Sequence, residues 1–191
     1  AASDVERGIL TTIYFLAGII GIPIWLALSA RVGKHRSWCF AMILACCAFA
    51  LVPILDNGDI VAFACICALT GVALGADMAL PPAIQADVAE YEYFRSGHEA
   101  TGTLFAIWSM ITKLSFGLSV LIAFPMLDAL GFDPQLSPQD NNLVALAMIY
   151  AVVPIVLKAG AIILLWHYPL TAHKQAVIRQ HIEKCTRRNN E

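Results

Sequence analysis

The sequence predicts an all-α integral membrane protein with five transmembrane helices. Of its 191 residues 59% are hydrophobic and 14% are charged, and its mean hydropathy is +0.72. Soluble domains carry about 25% charged residues. Five apolar runs are long enough to span a bilayer: 9–30, 37–55, 60–86, 103–127 and 142–168. These runs are too long and unbroken for barrel strands, and a lipid-exposed backbone must satisfy its own hydrogen bonds, so each run is predicted to be a helix.

The connections between the runs predict the orientation of the chain. The first connection carries Arg31, Lys34 and Arg36, whereas the segment 128–141 carries no Lys or Arg. The segment after residue 168 carries five. Because Lys and Arg are enriched in cytoplasmic loops, the C-terminal end is predicted to be cytoplasmic and the N-terminal end external. The predicted organisation is a transmembrane bundle over residues 1–168 and a basic tail over 169–191.

Three charged residues lie deep within the apolar runs: Asp77, Lys113 and Lys158. Each is about ten residues from the predicted cytoplasmic end of its run, which is ~15 Å of helix and near the middle of a hydrocarbon core ~30 Å thick. A charge at that depth costs roughly 2.5–3.5 kcal/mol on insertion scales. Such charges pair with one another or face a watery cavity, so they predict a pathway for a solute through the membrane.

The setting of Asp77 leaves two interpretations open. Pro81 and Pro82 have no N–H groups, so the carbonyls of Asp77 and Met78 lose their helical donors. A kinked helix with free carbonyls beside a carboxylate would coordinate a cation or a substrate hydroxyl. Alternatively, the prolines only kink the helix, and Asp77 pairs with Lys113.

Lys158 is predicted to pair with an acid outside this chain, to contact a neighbour within it, or to extend toward the interface, and the sequence does not choose. The pair Gly71 and Gly75 predicts close helix packing. Trp108, in the same run as Lys113, is a candidate for stacking on a sugar, although ordinary packing explains it as well. Trp38, at the inner end of its run, is interpreted as part of an interfacial aromatic belt.

No set of residues points to covalent chemistry. The sequence contains no HExxH motif and no nucleophile spaced with a base, so an enzyme is not expected. Six cysteines show no CxxC spacing, and five of them lie within apolar runs, so neither a disulfide framework nor a metal site is predicted. No cofactor and no nucleic-acid partner are expected.

The most specific stretch extends from Ala79 to Gly102 and contains, in order, Asp87-Val, an acidic–tyrosine segment around Tyr91, Arg95 and Gly97, with Lys113 soon afterwards. In this order the residues resemble the glycoside–pentoside–hexuronide:cation symporter family of the major facilitator superfamily. That family ends its tenth helix with a small residue–Asp–Val pattern, and its eleventh helix carries a lysine. The basic turn 31–36 resembles the superfamily's turn between helices eight and nine. After Gly97 the family often has basic residues, whereas this chain has His98-Glu99-Ala100-Thr101.

The resemblance covers essentially the whole chain and implies helices eight to twelve, which is most of a C-terminal six-helix bundle. It implies a bacterial inner-membrane transporter that moves a sugar or glycoside with Na⁺ or H⁺ by alternating access. Its expected partners are the bilayer and an N-terminal half that this chain lacks. The expected pathway residues are Lys113, Asp77 and Trp108. Lys113 matches the family's helix-eleven lysine, whereas Asp77 has no match in the family pattern and is expected from its depth alone. The expected cytoplasmic gate and loop residues are Asp87, Tyr91, Arg95, Arg31, Lys34 and Arg36.

Two alternatives remain beside symport of a sugar. One is a lipid or lysolipid carrier of the same fold. The other is a membrane sensor or scaffold that no longer transports.

Overall fold

The structure is a computed structural model that describes residues 4–52, 59–129 and 143–166, with side chains described for 5–52, 59–129 and 151–166. The described part is helical, as predicted, and contains no strand. Its helices are α1 (Asp4–Val32), α2 (Lys34–Leu51), α3 (Ile60–Ser96), α4 (Thr101–Ala129) and α5 (Leu143–Trp166). The predicted tail 169–191 and most of the predicted loop 128–141 lie outside the described residues.

Each predicted run coincides with a helix, but the helix ends differ from the predicted ends. The largest difference is at α3, which continues to Ser96, ten residues past the predicted end at residue 86. Three helical segments are long and apolar enough to cross a membrane: Val5–Val32, Ile60–Ser96 and Thr101–Ala129. Ala151–Trp166 in α5 is a shorter apolar segment. Membrane crossing by α2 and α5 therefore stays a prediction.

The α1–α3 interface is the closest helix contact in the described bundle, because small residues allow the two backbones to approach each other. A Cβ atom added to Gly75 would lie 2.5 Å from the carbonyl oxygen of Gly18, and one added to Gly21 would lie 2.5 Å from that of Val72. Trp25, one turn after Gly21, donates its indole N–H to the same Val72 carbonyl at 2.8 Å. The predicted close packing at the Gly71–Gly75 motif is therefore confirmed, and its partner is α1.

A small apolar core joins α1, α2 and α3. It consists of Trp25, Ala41, Ala76 and Leu80, all almost fully buried. α5 packs mainly against α2, on the outside of this core. Trp25 is therefore a packing residue.

Glycines with positive φ shape two turns. Gly33, at φ 95°, separates α1 from α2 by a single residue. Gly97, at φ 70°, ends α3 and donates its N–H to the Tyr93 carbonyl at 2.9 Å. Glycine adopts this left-handed conformation without the steric cost that a Cβ atom brings. The first turn positions Lys34 directly beside α3.

α4 lies at the edge of the described bundle. None of its residues is buried, and it has few contacts with α3 and α5. Gln85 of α3 holds its first turn by donating from Nε2 to the Leu104 carbonyl at 3.2 Å. Most of the surface of α4 is therefore left without a neighbour in the described part of the chain.

Candidate functional site

Both carboxylate oxygens of Asp77 have partners. The indole N–H of Trp38 on α2 donates to Oδ1 at 2.7 Å, and the ammonium of Lys158 on α5 donates to Oδ2 at 2.9 Å. The interpretation in which Asp77 pairs with Lys113 is therefore wrong. It failed because helix depth alone does not fix which neighbour a side chain faces. The structure also chooses among the interpretations of Lys158, since its partner is a neighbour within this chain.

The Asp77–Lys158 pair is sheltered but not sealed. The exposed fraction of the side chain is 33% for Asp77 and 23% for Lys158. Together with Trp38 the pair joins three helices, because Asp77 is on α3, Trp38 on α2 and Lys158 on α5. α3 itself continues as one helix through Pro81 and Pro82, which lie one turn further along the chain.

Lys113 has the opposite environment. It is exposed on α4, in a shallow apolar groove that it forms with Met110, Leu114, Gly117, Leu118 and Leu121 of the same helix. Among the described residues it has no hydrogen-bond or ion-pair partner. Within the described ranges, the Lys113 ammonium thus has no counter-charge on a largely apolar helix.

Trp108 does not share the groove of Lys113. It is half-buried and precedes Lys113 by five positions, which places it about 140° around the helix. The two side chains therefore point to different sides of α4. A single ligand contacting both would have to lie across one edge of the helix.

The predicted gate residues Lys34 and Asp87 form an ion pair where α2 begins. The Lys34 ammonium lies 2.7 Å from both Asp87 carboxylate oxygens and donates to the Ala83 carbonyl at 3.2 Å. Only 12% of the Asp87 side chain is exposed. This contact connects the first residue of α2 to the last part of α3. The other predicted gate residues are exposed: Arg31, Arg36, Tyr91 and Arg95.

His35 is a buried histidine in the basic turn, ahead of the predicted span 37–55. Burial lowers its pKa from the ordinary value of 6.5, and the neighbouring Arg36 lowers it further. Both effects favour the neutral imidazole, which lies at the turn between α1 and α2.

Sequence reasoning did not identify two residues that position the site. Trp38 was placed at the interface because of its residue type, whereas in the structure it binds Asp77. Its spacing of four from Lys34 is the signal that was available, because residues i and i+4 share a helix face. Gln85, which holds α4, gave no signal beyond being an amide near the end of an apolar run.

Comparison with known proteins gives two findings. The sequence matches the family described as MFS/sugar transport protein over residues 2–172, where MFS denotes the major facilitator superfamily. It is also 21% identical over 173 residues to the glucuronide carrier protein homolog of Escherichia coli (strain K12). That match covers 88% of this chain and 38% of the relative, so the chain spans well under half of the relative's length. The match over nearly the whole chain shows that it belongs to the MFS/sugar transport protein family, a family of transporters and not of enzymes.

Proposed function

We propose that the protein to which this chain contributes is a secondary active transporter that couples Na⁺ or H⁺ to the symport of a sugar or glycoside. The family match supports transport of a sugar. Coupling to a cation is what the resemblance to the glycoside–pentoside–hexuronide:cation symporters implies. The single structural observation that carries the proposal is the ammonium of Lys113, which has no partner among the described residues and lies on a largely apolar helix.

Lys113 has the chemistry of a sugar-binding residue. Its ammonium offers three hydrogen-bond donors, and a sugar supplies hydroxyl acceptors at close spacing. A cation that has no protein counter-charge also attracts an anionic substrate strongly when the surroundings exclude water. Since the matched relative is named for glucuronides, which carry a carboxylate, uronides belong in the proposed substrate range.

The exposed surface of α4 is where we place the solute cavity. α4 buries no residue against the described bundle, although it is apolar and carries Lys113. Transporters of this kind are built from two halves, with substrate sites near the midplane between them. An N-terminal half facing α4 would close the cavity around Lys113, and Trp108 would line its edge.

The cytoplasmic gate in this proposal is built around the Lys34–Asp87 ion pair. The pair fixes α2 to α3 at the predicted inner end. Arg31, Arg36, Tyr91 and Arg95 are exposed around that end and available to the opposing half. Rocking of one half against the other would form and break contacts at these side chains while the Lys34–Asp87 pair moves as part of one rigid unit.

Uptake by the complete transporter in proteoliposomes tests the function. Neutral sugars, glycosides and glucuronides are compared under an imposed Na⁺ gradient, an imposed H⁺ gradient and no gradient. Saturable uptake of a sugar or glycoside that accumulates only with a gradient is the expected result. Downhill movement without coupling would contradict symport. Movement of lysolipid alone would favour the lipid carrier.

Accessibility labelling tests the proposed orientation in the inner membrane, with the C-terminus in the cytoplasm. In a background without reactive cysteines, His98→Cys places a thiol in the exposed segment after α3, and Ser137→Cys places one in the opposite predicted loop. An impermeant maleimide should label the first from the cytoplasmic side and the second from outside. The reverse pattern would invert the orientation.

A further inference from the structure

We propose that Asp77, Lys158 and Trp38 form a structural clasp that neutralises two intramembrane charges and braces α3 at its proline pair, and that this clasp lies outside the solute pathway. The name clasp refers to these three residues only. The assignment replaces the pathway role that the depth of Asp77 suggested. It also gives Lys158 a role, which the sequence left open.

The first argument is charge. An isolated carboxylate and an isolated ammonium are each costly in a membrane, whereas the pair has no net charge. At 2.9 Å the Lys158 ammonium and the Asp77 carboxylate are in direct contact. Trp38 adds a neutral donor to the remaining carboxylate oxygen at 2.7 Å. Each oxygen therefore has a donor from a neighbouring helix, and the charge of the carboxylate is balanced within the chain.

The second argument is where the contacts fall along α3. Pro81 and Pro82 remove two helical donors, which leaves the segment after Asp77 with fewer internal hydrogen bonds. Trp38 binds α3 just before this segment, at Asp77. Lys34, one turn earlier on α2, binds α3 just after it, at Ala83 and Asp87. Two side chains on one face of α2 therefore bracket the weakest part of α3.

The third argument is the attachment of α5. This helix packs mainly against α2, so Lys158 reaches beyond that contact to α3. Loss of one partner alone would leave the other charge unpaired beside the contact that holds α5 in the bundle. A buried or half-buried pair that loses one partner is far more costly than one replaced on both sides.

The test uses three variants of the complete transporter: Lys158→Met, Asp77→Asn and the double variant. Folded yield is measured by size-exclusion chromatography in mild detergent after heating. Lys158→Met should lower the folded yield by roughly tenfold or more, since it strands the carboxylate. The double variant should recover most of that loss, because no charge is left unpaired and the introduced amide retains an acceptor for Trp38. Lys113→Met is the matched control and should fold normally.

Uptake separates a clasp from a pathway residue. Per folded molecule, the double variant should transport within about threefold of the wild type and show the same cation dependence, since a clasp does not contact the transported species. A double variant that folds but does not transport, or whose cation dependence changes, would place Asp77 in the pathway. Normal folding of Lys158→Met, or no recovery in the double variant, would also overturn the clasp.

Trp38→Phe provides an independent measurement if the charge variants fold poorly. It keeps an aromatic ring that packs on the core but removes the indole donor to Asp77. The expected result is a modest fall in heat resistance with uptake preserved. Heat resistance equal to that of the wild type would show that the Trp38–Asp77 bond does not brace α3.

Discussion

α3 and α4 are both long, apolar helices that carry glycines and one deep charge, yet they differ in how closely other helices pack on them and in whether the charge has a partner. On α3, a Cβ atom added to Gly75 would have backbone atoms of α1 within 2.9 Å. On α4, a Cβ atom added to Gly117 would meet no atom of another described element within 4 Å. The Asp77 carboxylate on α3 has a donor at each oxygen. Lys113 on α4 has no partner among the described residues.

This difference teaches that a charge within a membrane span has two distinct meanings. A charge whose hydrogen-bonding capacity is met by neighbouring helices contributes to architecture, since removing it leaves its partner stranded. A charge that has no partner on a neighbouring helix requires one from outside the bundle, such as a substrate, an ion or another part of the transporter. The predicted depth is the same for Asp77 and Lys113 and both are charged, so only their neighbours distinguish the two cases.

The largest expected effect is that of Lys113→Ala on transport. Because Lys113 is proposed to bind the substrate, removing its charge should lower the initial rate of coupled uptake by about 100-fold or more. Folding should be unaffected, because α4 buries no residue and Lys113 has no partner in the described bundle. Uptake in proteoliposomes at matched amounts of folded protein measures this effect.

Ser115→Ala is the control for Lys113→Ala. Ser115 is exposed on the same helix, and its hydroxyl donates to the Ile111 carbonyl within that helix at 2.9 Å. It should keep near-normal uptake. If Lys113→Ala also transports normally, Lys113 lies outside the pathway, and the contrast between α3 and α4 loses its functional meaning.

The comparison of glycines predicts the next largest effect. Gly75→Ala places a Cβ atom 2.5 Å from the Gly18 carbonyl oxygen and 2.8 Å from the Ile22 nitrogen. Because both are backbone atoms, the helices must separate, which should lower the free energy of unfolding by about 1–3 kcal/mol. Gly117→Ala on α4 should be neutral or stabilising by about 0.5–1 kcal/mol, since glycine is unfavourable in a helix interior. Heat resistance in detergent compares the two variants, and equal effects would contradict the close contact of α1 with α3.

How much the sequence could predict follows from the same contrast. The five helices were predictable because length and hydropathy are local properties of the chain. The Gly71–Gly75 spacing predicted close packing, but its partner α1 could not be named, since several helices are available in a bundle. The sequence predicts that Lys34 and Asp87 both lie at the inner end of the bundle, but it does not predict the ion pair between them.

The partners of Asp77 could not be predicted. Trp38 and Lys158 are separated from it by 39 and 81 positions, and the contacts depend on how α2 and α5 rotate about their axes. The helix periodicity of a uniformly apolar run does not fix that rotation. Lys113 and Asp77 lie at the same predicted depth, which made them the obvious pair from sequence and the wrong one in the structure.

A comparable effect is expected at the predicted inner end of the packed region. Lys34→Met removes the ammonium that contacts both Asp87 oxygens and the Ala83 carbonyl. Because the Asp87 side chain is mostly buried, leaving its carboxylate unpaired should lower the free energy of unfolding by about 1–3 kcal/mol. Arg36→Met, in the same turn but exposed, should change it little. Similar losses from the two variants would show that the turn needs positive charge and not the specific contact.

The smallest expected effect is a pH dependence that comes from His35 in the packed region. Burial, with Arg36, holds the pKa of His35 below 6.5, so the unfolded chain binds a proton more readily than the folded one. Stability that is present above pH 6.5 should therefore decrease as the pH falls from 6.5 through the lowered pKa, and it should not decrease further below that value.

Heat resistance of the complete transporter, measured in small steps from pH 8 to pH 5, tests this expectation. His35→Gln should flatten the profile in that window, while His98→Gln, at an exposed histidine after α3, should leave the profile unchanged. If His35→Gln does not alter the profile, the acid sensitivity comes from another group. Protonation of His35 would then not be coupled to folding of the packed helices.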